Sequence, residues 1–282
     1  MVKISLLGIP HDDNSSFLKG PAEAPPLIRR ELLCDAYSMW SETGVDLGIA
    51  GRLVDHGDAQ FDGAADPWDV IEQSVARALE SGDPLISLGG DHAITHPIMR
   101  AVRRRHPQLT ILHIDAHCDT GGPFEGAKFH HGGPFRQAVL AGVIDPERTI
   151  QIGIRGGAEY LWEFSYISGM TVMHAEEFAH LGVAKTIKKI RDVVGSGPTY
   201  ISFDVDSLDP AFAPGTGTPE AGGLSTREAM ELVRGCAGLN VIGGDVVEVA
   251  PQYDATTNTA QAAAQMLFEI LAVIALARRK SK

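Results

Sequence analysis

Short apolar runs alternate with segments of helical periodicity along nearly the whole chain of 282 residues. The apolar runs predict strands at residues 3–8, 85–88, 109–115, 149–153, 171–174, 199–204 and 241–247. Apolar residues at helical spacing predict amphipathic helices at residues 69–80, 94–105, 184–194, 225–236 and 260–277. Nearly continuous apolar strands separated by helices are typical of a parallel sheet covered on both faces, so the pattern predicts an α/β fold.

The chain shows no internal division. No Pro- or Ser-rich linker and no repeat interrupts it, so we expect one domain over residues 1–282. The apolar segment 260–277 contains Gln261, Gln265 and Glu269, which favours a packed helix over a membrane span. In open parallel sheets, ligands bind beyond the carboxyl ends of the strands. Polar clusters follow several of the predicted strands, and they are the candidate functional residues.

Composition narrows the choice of partner and compartment. The net charge of -12 argues against nucleic acid or an anionic membrane, since both require a basic face, and it is compatible with a cationic substrate. Cys34, Cys118 and Cys236 lack the spacing of a disulfide framework or a zinc site, which indicates a reducing compartment. The first residues lack the apolar core of a secretory signal. We therefore expect a cytoplasmic protein.

The segment Asp115-Ala116-His117-Cys118-Asp119 directly follows an apolar strand. In an extended chain, side chains two residues apart point to the same face, so two carboxylates and an imidazole would converge. A polar network or a surface turn is the alternative, but carboxylates on one face repel each other unless a cation or proton intervenes. Cys118 should point to the opposite face, which indicates a packing residue and not a nucleophile.

Two further clusters follow other strands. Gly89-Gly90-Asp91-His92 places a histidine after one strand, and Asp204 and Asp206 share a face after another. The alternatives are a turn in which Asp91 caps the next helix and an acidic capping loop. Hard oxygen donors with imidazoles and no thiolate favour Mn²⁺ or a similar cation. Six ligands suit a pair of metals with bridging carboxylates, and the candidates are His92, Asp115, His117, Asp119, Asp204 and Asp206.

Two other polar groups lie near predicted strand ends. His130 and His131 occupy a Gly-rich loop, and Glu248 follows the last strand. Surface histidines and an ordinary exposed carboxylate are the alternatives. If Glu248 is buried near the metals, it is suited to bind a cationic substrate through paired hydrogen bonds.

Taken in order, these motifs resemble a known family. The set GGDH, DAHCD, HHGGPF, SFDVDSLDP, PGTGTPEAGG and DVVEVAP is similar to that of the ureohydrolases, which include arginase, agmatinase and their relatives. The resemblance extends over nearly the whole chain and depends on the joint set, because GGDH alone is not specific. It implies a three-layer α/β/α arginase-like fold with a central, mostly parallel sheet, two Mn²⁺ per subunit and a homo-oligomer, commonly a trimer or hexamer.

The resemblance also implies residue roles. His92, Asp115, Asp119 and Asp204 would hold one metal, and the other would be held by Asp115, His117, Asp204 and Asp206. His131 matches the family's proton-transfer histidine, and Asp119 would carry a proton towards the leaving amine. Glu248 matches the carboxylate that anchors the guanidinium group.

The substrate is less constrained. Arginases carry a Ser-Gly-Asn segment before the catalytic histidine, and residues 120–130 contain no such triplet. The segments Phe135-Arg136, Ile154-Arg155-Gly156 and Pro251-Gln252-Tyr253-Asp254 resemble the agmatinase branch more closely. We therefore expect agmatine, which would yield putrescine and urea. The alternatives are guanidino-acid hydrolase, arginase or formimidoylglutamase activity and, in a different class, a non-catalytic metal-binding homologue. Glu125 could contact a distal ammonium group, and Lys128 or Arg155 could contact a distal carboxylate.

Overall fold

The strands form one parallel sheet in the computed structural model, which describes residues 2–157 and 159–277. They are β1 Ile4–Gly8, β2 Leu53–Asp58, β3 Leu85–Leu88, β4 Leu109–Ile114, β5 Ile144–Ile154, β6 Thr171–His174, β7 Thr199–Asp204 and β8 Val241–Val247. Their order is β2-β1-β3-β8-β7-β4-β5-β6, and every neighbouring pair is parallel. The predicted α/β fold with a parallel sheet is confirmed.

Helices cover both faces of the sheet. They are α1 Ala24–Leu32, α2 Pro67–Ala78, α3 Thr95–Arg103, α4 Pro134–Leu140, α5 Glu159–Ser168, α6 Ala175–Leu181, α7 Val183–Val194, α8 Thr226–Gly235 and α9 Asn258–Ala277. Side chains of α1, α7, α8 and α9 form one apolar core with alternate strand residues such as Leu112. Side chains of α2, α3 and α4 form a second core with the intervening strand residues, such as Ile111. This is the expected three-layer arrangement, because successive residues of a strand point to opposite faces.

Some elements differ from the sequence predictions. Strand β2 was not predicted, because Leu53-Val54-Asp55-His56-Gly57-Asp58 is polar and lies at the sheet edge, partly exposed. Strand β5 begins at Ile144, five residues before the predicted start at Thr149. Helices α1, α4, α5 and α6, each of ten residues or fewer, were also not predicted.

The C-terminal helix α9 is long and apolar enough to cross a membrane by length and composition alone. In this structure, however, 72% of its most apolar window is buried, and the helix packs against α1, α8 and β8. Its buried Glu269 accepts hydrogen bonds from Arg234 of α8, at 2.8 Å from Nε and 2.6 Å from Nη2. The observed packing agrees with the sequence interpretation of a packed helix.

The register of the four central strands brings their carboxyl ends level. Leu88 of β3 is paired with Val246 of β8, Val246 with Phe203 of β7, and Phe203 with Ile114 of β4. Residues that follow these positions therefore emerge at one edge of the sheet. All of the candidate metal residues and Glu248 follow these four strand ends.

The buried ion pair between α8 and α9 generates a stability prediction. Glu269→Ala leaves the Arg234 guanidinium, which is 16% exposed, without its main partner, so we expect the free energy of unfolding to fall by about 3 kcal/mol. Lys188→Ala removes an exposed pair with Asp192 and should cost no more than about 0.5 kcal/mol. Urea denaturation of both variants measures the two losses of unfolding free energy. Equal losses would contradict the larger contribution of the buried ion pair.

Candidate metal centre and active site

The first ligand group, His92, Asp115, Asp119 and Asp204, gathers around one imidazole nitrogen. His92 Nδ1 lies 3.1 Å from Asp115 Oδ2, 2.9 Å from Asp119 Oδ2 and 3.1 Å from Asp204 Oδ2. One ligand atom from each of the four side chains lies within 4.8 Å of the others. All four side chains are buried. The structure thus brings together residues that are up to 112 positions apart in the sequence.

A chain of buried hydrogen bonds fixes the tautomer of His92. Its Nε2 lies 2.9 Å from Ser202 Oγ, which itself donates to Asp245 Oδ1 at 2.7 Å. Since the serine proton is directed to Asp245, the serine oxygen accepts from His92 Nε2–H. Asp245 Oδ2 accepts from Tyr200 and Thr95, at 2.7 and 2.8 Å. This arrangement leaves the lone pair of His92 on Nδ1, where a metal ligand requires it.

His92 Nδ1 is the strongest evidence that a cation fits the site. Within the described chain, it is a buried polar atom with no hydrogen-bond partner, although three carboxylate oxygens surround it. Burial and the neighbouring Asp206 and Asp115 raise the pKa of Asp204 well above its usual value. Burial lowers the pKa of His92, but the carboxylates of Asp115, Asp119 and Asp204 outweigh it and raise that pKa well above its usual value. The cluster therefore favours positive charge at Nδ1, which a divalent cation can supply in place of a proton.

The second ligand group consists of Asp115, His117 and Asp206. His117 Nδ1 lies 3.0 Å from Asp206 Oδ2 and 3.6 Å from Asp115 Oδ1. Asp115 belongs to both groups, as expected for a bridging ligand. Asp204 belongs to the first group alone in this geometry, and its Oδ1 accepts the backbone N–H of Asp206 at 2.8 Å. Its predicted bridging role stays a prediction.

His113 lies beside the first group but is oriented as a supporting residue. Its Nε2 is 2.6 Å from Asp115 Oδ2, and its Nδ1 accepts from the Gln151 amide at 3.0 Å. The proton is therefore on Nε2 and is donated to Asp115. Phe135 packs against the ring, with centroids 4.0 Å apart. His113 thus holds the carboxylate of Asp115 in place, and the Nε2 that faces the cluster has no free lone pair.

His131 and Glu248 form a second pair at the same edge. His131 Nδ1 is 3.0 Å from Glu248 Oε1, and the same oxygen accepts the backbone N–H of His92 at 2.7 Å. Burial lowers the pKa of His131, but the Glu248 carboxylate outweighs it and raises that pKa to about 9. Ser16 Oγ lies 2.6 Å from His131 Nε2. A histidine that carries a proton at neutral pH is thus held close to the ligand groups.

Two of the predicted catalytic residues have unusual backbone conformations. Asp119 has φ 51° and Glu248 has φ 63°, in the left-handed region that non-glycine residues seldom occupy. Such conformations cost of order 1 kcal/mol or more and cluster at functional sites. Here they turn each carboxylate back towards His92.

A cavity of about 420 Å³ opens above both ligand groups. Its lining includes the carboxylates of Asp119, Asp204, Asp206 and Glu248 together with several aromatic side chains. The aromatic residues are Phe124, Tyr160 and Trp162, of which Phe124 is 42% and Tyr160 74% exposed.

Cys118 is buried against Ile154 and Val172, and burial raises the pKa of its thiol to about 12, as expected for a packing residue.

The structure tests which charges of the surrounding loops face this cavity. Glu125 and Lys128 do not line it, and Lys128 lies over the Phe129 ring at 5.2 Å. The idea that either contacts the substrate's distal group is not supported by this geometry. Arg155 does line the cavity, but its guanidinium donates to backbone carbonyls, at 2.7 Å to both Asp206 and Glu220. The suggested contact of Arg155 with a distal carboxylate is therefore a poor interpretation, because its donors are already used.

Comparison with known proteins identifies the family. The model of the arginase family matches residues 2–273. Guanidinobutyrase of Pseudomonas aeruginosa is 40% identical over 96% of this chain and 86% of its own length. Guanidinopropionase of the same organism is 42% identical over 99% of this chain and 89% of its own length. Mitochondrial agmatinase of Gallus gallus is 40% identical over 96% of this chain and 80% of its own length.

A solved structure gives the same result for the fold. The crystal structure of a hypothetical agmatinase from Burkholderia thailandensis superposes with a TM-score of 0.90 and 37% identity, covering 100% of this chain and 88% of that one. Fold, site and relatives together define a hydrolase of guanidino compounds. The chain belongs to the arginase family. The resemblance to the ureohydrolases and the arginase-like fold are both confirmed.

Sequence reasoning missed several residues of the site. Ser16, Ser202, Asp245 and Gln151 were given no role, although each makes a hydrogen bond to a candidate residue or to a residue that supports one. A signal was available for Asp245, since a carboxylate within the apolar run of a central strand requires buried partners. Ser16 carried no such signal, because its contact with His131 spans 115 positions.

The serines on either side of Asp245 provide a matched test. Ser202 and Ser87 are both paired in register with Asp245, one from each neighbouring strand. Only Ser202 contacts His92, and the Ser87 hydroxyl has no hydrogen-bond partner among the described residues. We expect Ser202→Ala to weaken Mn²⁺ affinity about 10- to 100-fold.

Ser87→Ala should leave this affinity unchanged, because no ligand depends on its hydroxyl. Isothermal titration of the metal-free variants with Mn²⁺ measures both constants. Equal affinities for the two variants would show that the Ser202 hydrogen bond does not orient His92.

Proposed function

We propose that this chain is a manganese-dependent hydrolase that cleaves the guanidino C–N bond of a small guanidino compound. The observation that carries the proposal is His92 Nδ1, an unpartnered buried atom facing three carboxylates beside the His131–Glu248 pair. His92, Asp115, His117, Asp119, Asp204 and Asp206 would hold two Mn²⁺ ions. When bound, such a pair lowers the pKa of water and supplies a nucleophile at neutral pH.

Glu248 is placed to bind the guanidinium group. Its Oε1 already accepts two hydrogen bonds, and within the described chain no hydrogen bond reaches Oε2. A planar guanidinium can donate to that oxygen and balance the buried charge. The strained backbone at Glu248 holds the carboxylate at the cavity wall. Binding would therefore direct the guanidinium carbon towards the ligand groups.

His131 and Asp119 would manage the protons of the reaction. Water adds to the guanidinium carbon, the bond from that carbon to the alkyl nitrogen breaks, and a proton must reach the leaving amine. Asp119 lines the cavity, and His131 carries a proton at neutral pH because of Glu248. Ser16 contacts His131 Nε2 and also lines the cavity, so it can pass a proton between the imidazole and solvent.

The cavity favours a substrate with a cationic distal end, and agmatine is the leading candidate. Phe124, Tyr160 and Trp162 present aromatic rings, which attract ammonium groups. Among the described lining residues, Arg155 is the one Lys or Arg side chain, and its donors already bind carbonyls. Hydrolysis of agmatine with one water would give putrescine and urea.

A guanidino acid is the second candidate because of the relatives. Proteins named guanidinopropionase and guanidinobutyrase are 42% and 40% identical to this chain. Their names indicate substrates that end in a carboxylate, and the Tyr160 hydroxyl at the exposed rim could donate to one.

A cytoplasmic location, one domain over residues 1–282 and a homo-oligomer remain predictions of the sequence. Residues 1, 158 and 278–282 lie outside the described chain.

A substrate panel tests the function. Urea release is measured with agmatine, guanidinobutyrate, guanidinopropionate and arginine, each with and without Mn²⁺, and formamide release is measured with formiminoglutamate. We expect the highest kcat/KM with agmatine and Mn²⁺. A preference for a guanidino acid would select the second candidate. Metal retention without turnover of any compound would indicate the non-catalytic homologue.

Two substitutions separate metal binding from substrate binding. Asp115→Ala removes the ligand shared by both groups, so we expect it to lose bound metal and activity together. Glu248→Gln keeps the acceptor for the His92 N–H but removes the charge, so we expect wild-type metal content with kcat/KM lowered about 100-fold or more. Metal analysis and urea assay of both variants check this. An empty site in Glu248→Gln would assign Glu248 to metal binding instead.

A further inference from the structure

The Arg155 guanidinium is placed beside the metal residues but is fully engaged with the backbone. It donates to the carbonyls of Asp206 and Glu220 at 2.7 Å each from Nη2, and to those of Gly153 and Ser207 at 3.0 and 3.3 Å from Nη1. Nη2 also reaches Leu208 O at 3.3 Å, and Nε reaches the carbonyls of Glu220 and Ala221 at 3.2 Å each. We call the contacts with residues 206–208 and 220–221 the Arg155 clamp.

The clamp connects two loops, of which one carries Asp206 of the second ligand group and the other contacts that group. Residues 206–208 carry Asp206, and the loop with Glu220 carries Thr218, whose Oγ1 lies 3.4 Å from Asp206 Oδ2. The Glu220 carboxylate lies 3.8 Å from His117 Nε2. Without the guanidinium between them, the carbonyls of the two loops would have no common donor. Backbone hydrogen bonds from Asp209 N–H to Leu224 O and from Leu224 N–H to Ser207 O also join the two loops, but Arg155 donates to the carbonyl of Asp206 itself.

The main chain of Arg155 supports the rest of the second group. Its N–H donates to Ala116 O at 2.8 Å, and Ala116 lies between Asp115 and His117. The Ala116 N–H in turn donates to Asp206 Oδ1 at 3.1 Å. Asp206 is thus bonded to Arg155 directly, and Asp115 and His117 are the chain neighbours of Ala116, which is also bonded to Arg155. The first group has further supports of its own, because Ser202 and Asp245 orient His92 and His113 holds the shared Asp115.

We propose that Arg155 is a positioning residue that selectively maintains the second metal position, formed by Asp115, His117 and Asp206. The inference rests on the two-metal site of the proposed function. Five N–H donors on a rigid plane span several carbonyls, whereas the single ammonium of lysine cannot reach both loops at once. Loss of the clamp loosens Asp206 and His117 and leaves the four residues around His92 Nδ1 in place. The variant should therefore change from two bound ions to one.

The test counts metal in the full-length chain. Wild type, Arg155→Gln and Arg155→Lys are loaded with Mn²⁺, dialysed and analysed for metal per chain, and the metal-free proteins are titrated with Mn²⁺. We expect two ions in wild type, one in Arg155→Gln, and an affinity for the second ion weakened about 10- to 100-fold. Electron paramagnetic resonance should change from the signal of a coupled pair to that of an isolated Mn²⁺ ion.

Arg148→Gln is the matched control. Arg148 lies in β5, the strand that ends directly before Arg155, and its guanidinium also donates to a backbone carbonyl, that of Val194, which belongs to neither ligand group. It should keep two ions and unchanged affinities. Circular dichroism and thermal unfolding of the metal-free variants show whether each folds. If Arg155→Gln does not fold, Arg155→Lys, which keeps the charge and most of the length, decides the outcome by the same metal count.

Several results would overturn the proposal: two ions of wild-type affinity in the Arg155 variants, loss of both ions together, the same loss in Arg148→Gln, or a single ion in wild type. None of these counts depends on the substrate. Absence of urea release by metal-loaded wild type would defeat the proposed function alone, so the two failures can be told apart.

Discussion

The repulsion among buried carboxylates at the sheet edge is the constraint on which the rest of the site depends. Asp115, Asp119, Asp204 and Asp206 are each less than 10% exposed and face one another or Nδ1 of His92. Removing such groups from water costs several kcal/mol unless opposite charge compensates. The large apolar cores on both faces of the sheet stabilise the fold enough to hold them together. The site is therefore organised for cations before any cation binds.

Much of the site was predictable, because the chemistry follows strands with a strong apolar signal. The fold class and the central strands were predicted correctly, and parallel strands necessarily bring their carboxyl ends to one edge. That edge gathers His92, Asp115, Asp204 and Glu248 from four separate strand ends. Hydrophobic periodicity and the topology of a parallel sheet were sufficient to place these residues at one edge, and no knowledge of loop structure was needed.

The remaining features depended on contacts that sequence does not encode locally. Strand β2 is polar because it lies at an edge, where alternation is weak. Ser16 reaches His131 through a loop, so no spacing rule connects them. Arg155 shows the limit most clearly: its charge suggested a substrate contact, but the carbonyls that surround its guanidinium are visible only in three dimensions. A side chain's type indicates what it can bind and not what it faces.

Buried polar residues also link the interior of the sheet to the site. Asp245 lies within central strand β8 and accepts hydrogen bonds from Ser202, Tyr200 and Thr95. These partners satisfy its charge and fix its orientation, so the network specifies one arrangement of β7, β8 and α3. The same network determines which nitrogen of His92 faces the carboxylates. Fold specificity and ligand geometry thus depend on one set of hydrogen bonds.

The strand order has a consequence for biosynthesis. Strand β8, residues Val241–Val247, lies between β3 and β7 and comes last in chain order among the described strands, so it leaves the ribosome after them. Until it emerges, β2-β1-β3 and β7-β4-β5-β6 have no strand to join them, and His92 belongs to one half while Asp115 and Asp204 belong to the other. The nascent chain must keep two open strand edges from pairing with other chains. The four residues around His92 Nδ1 can therefore come together only after β8 has joined the two halves of the sheet.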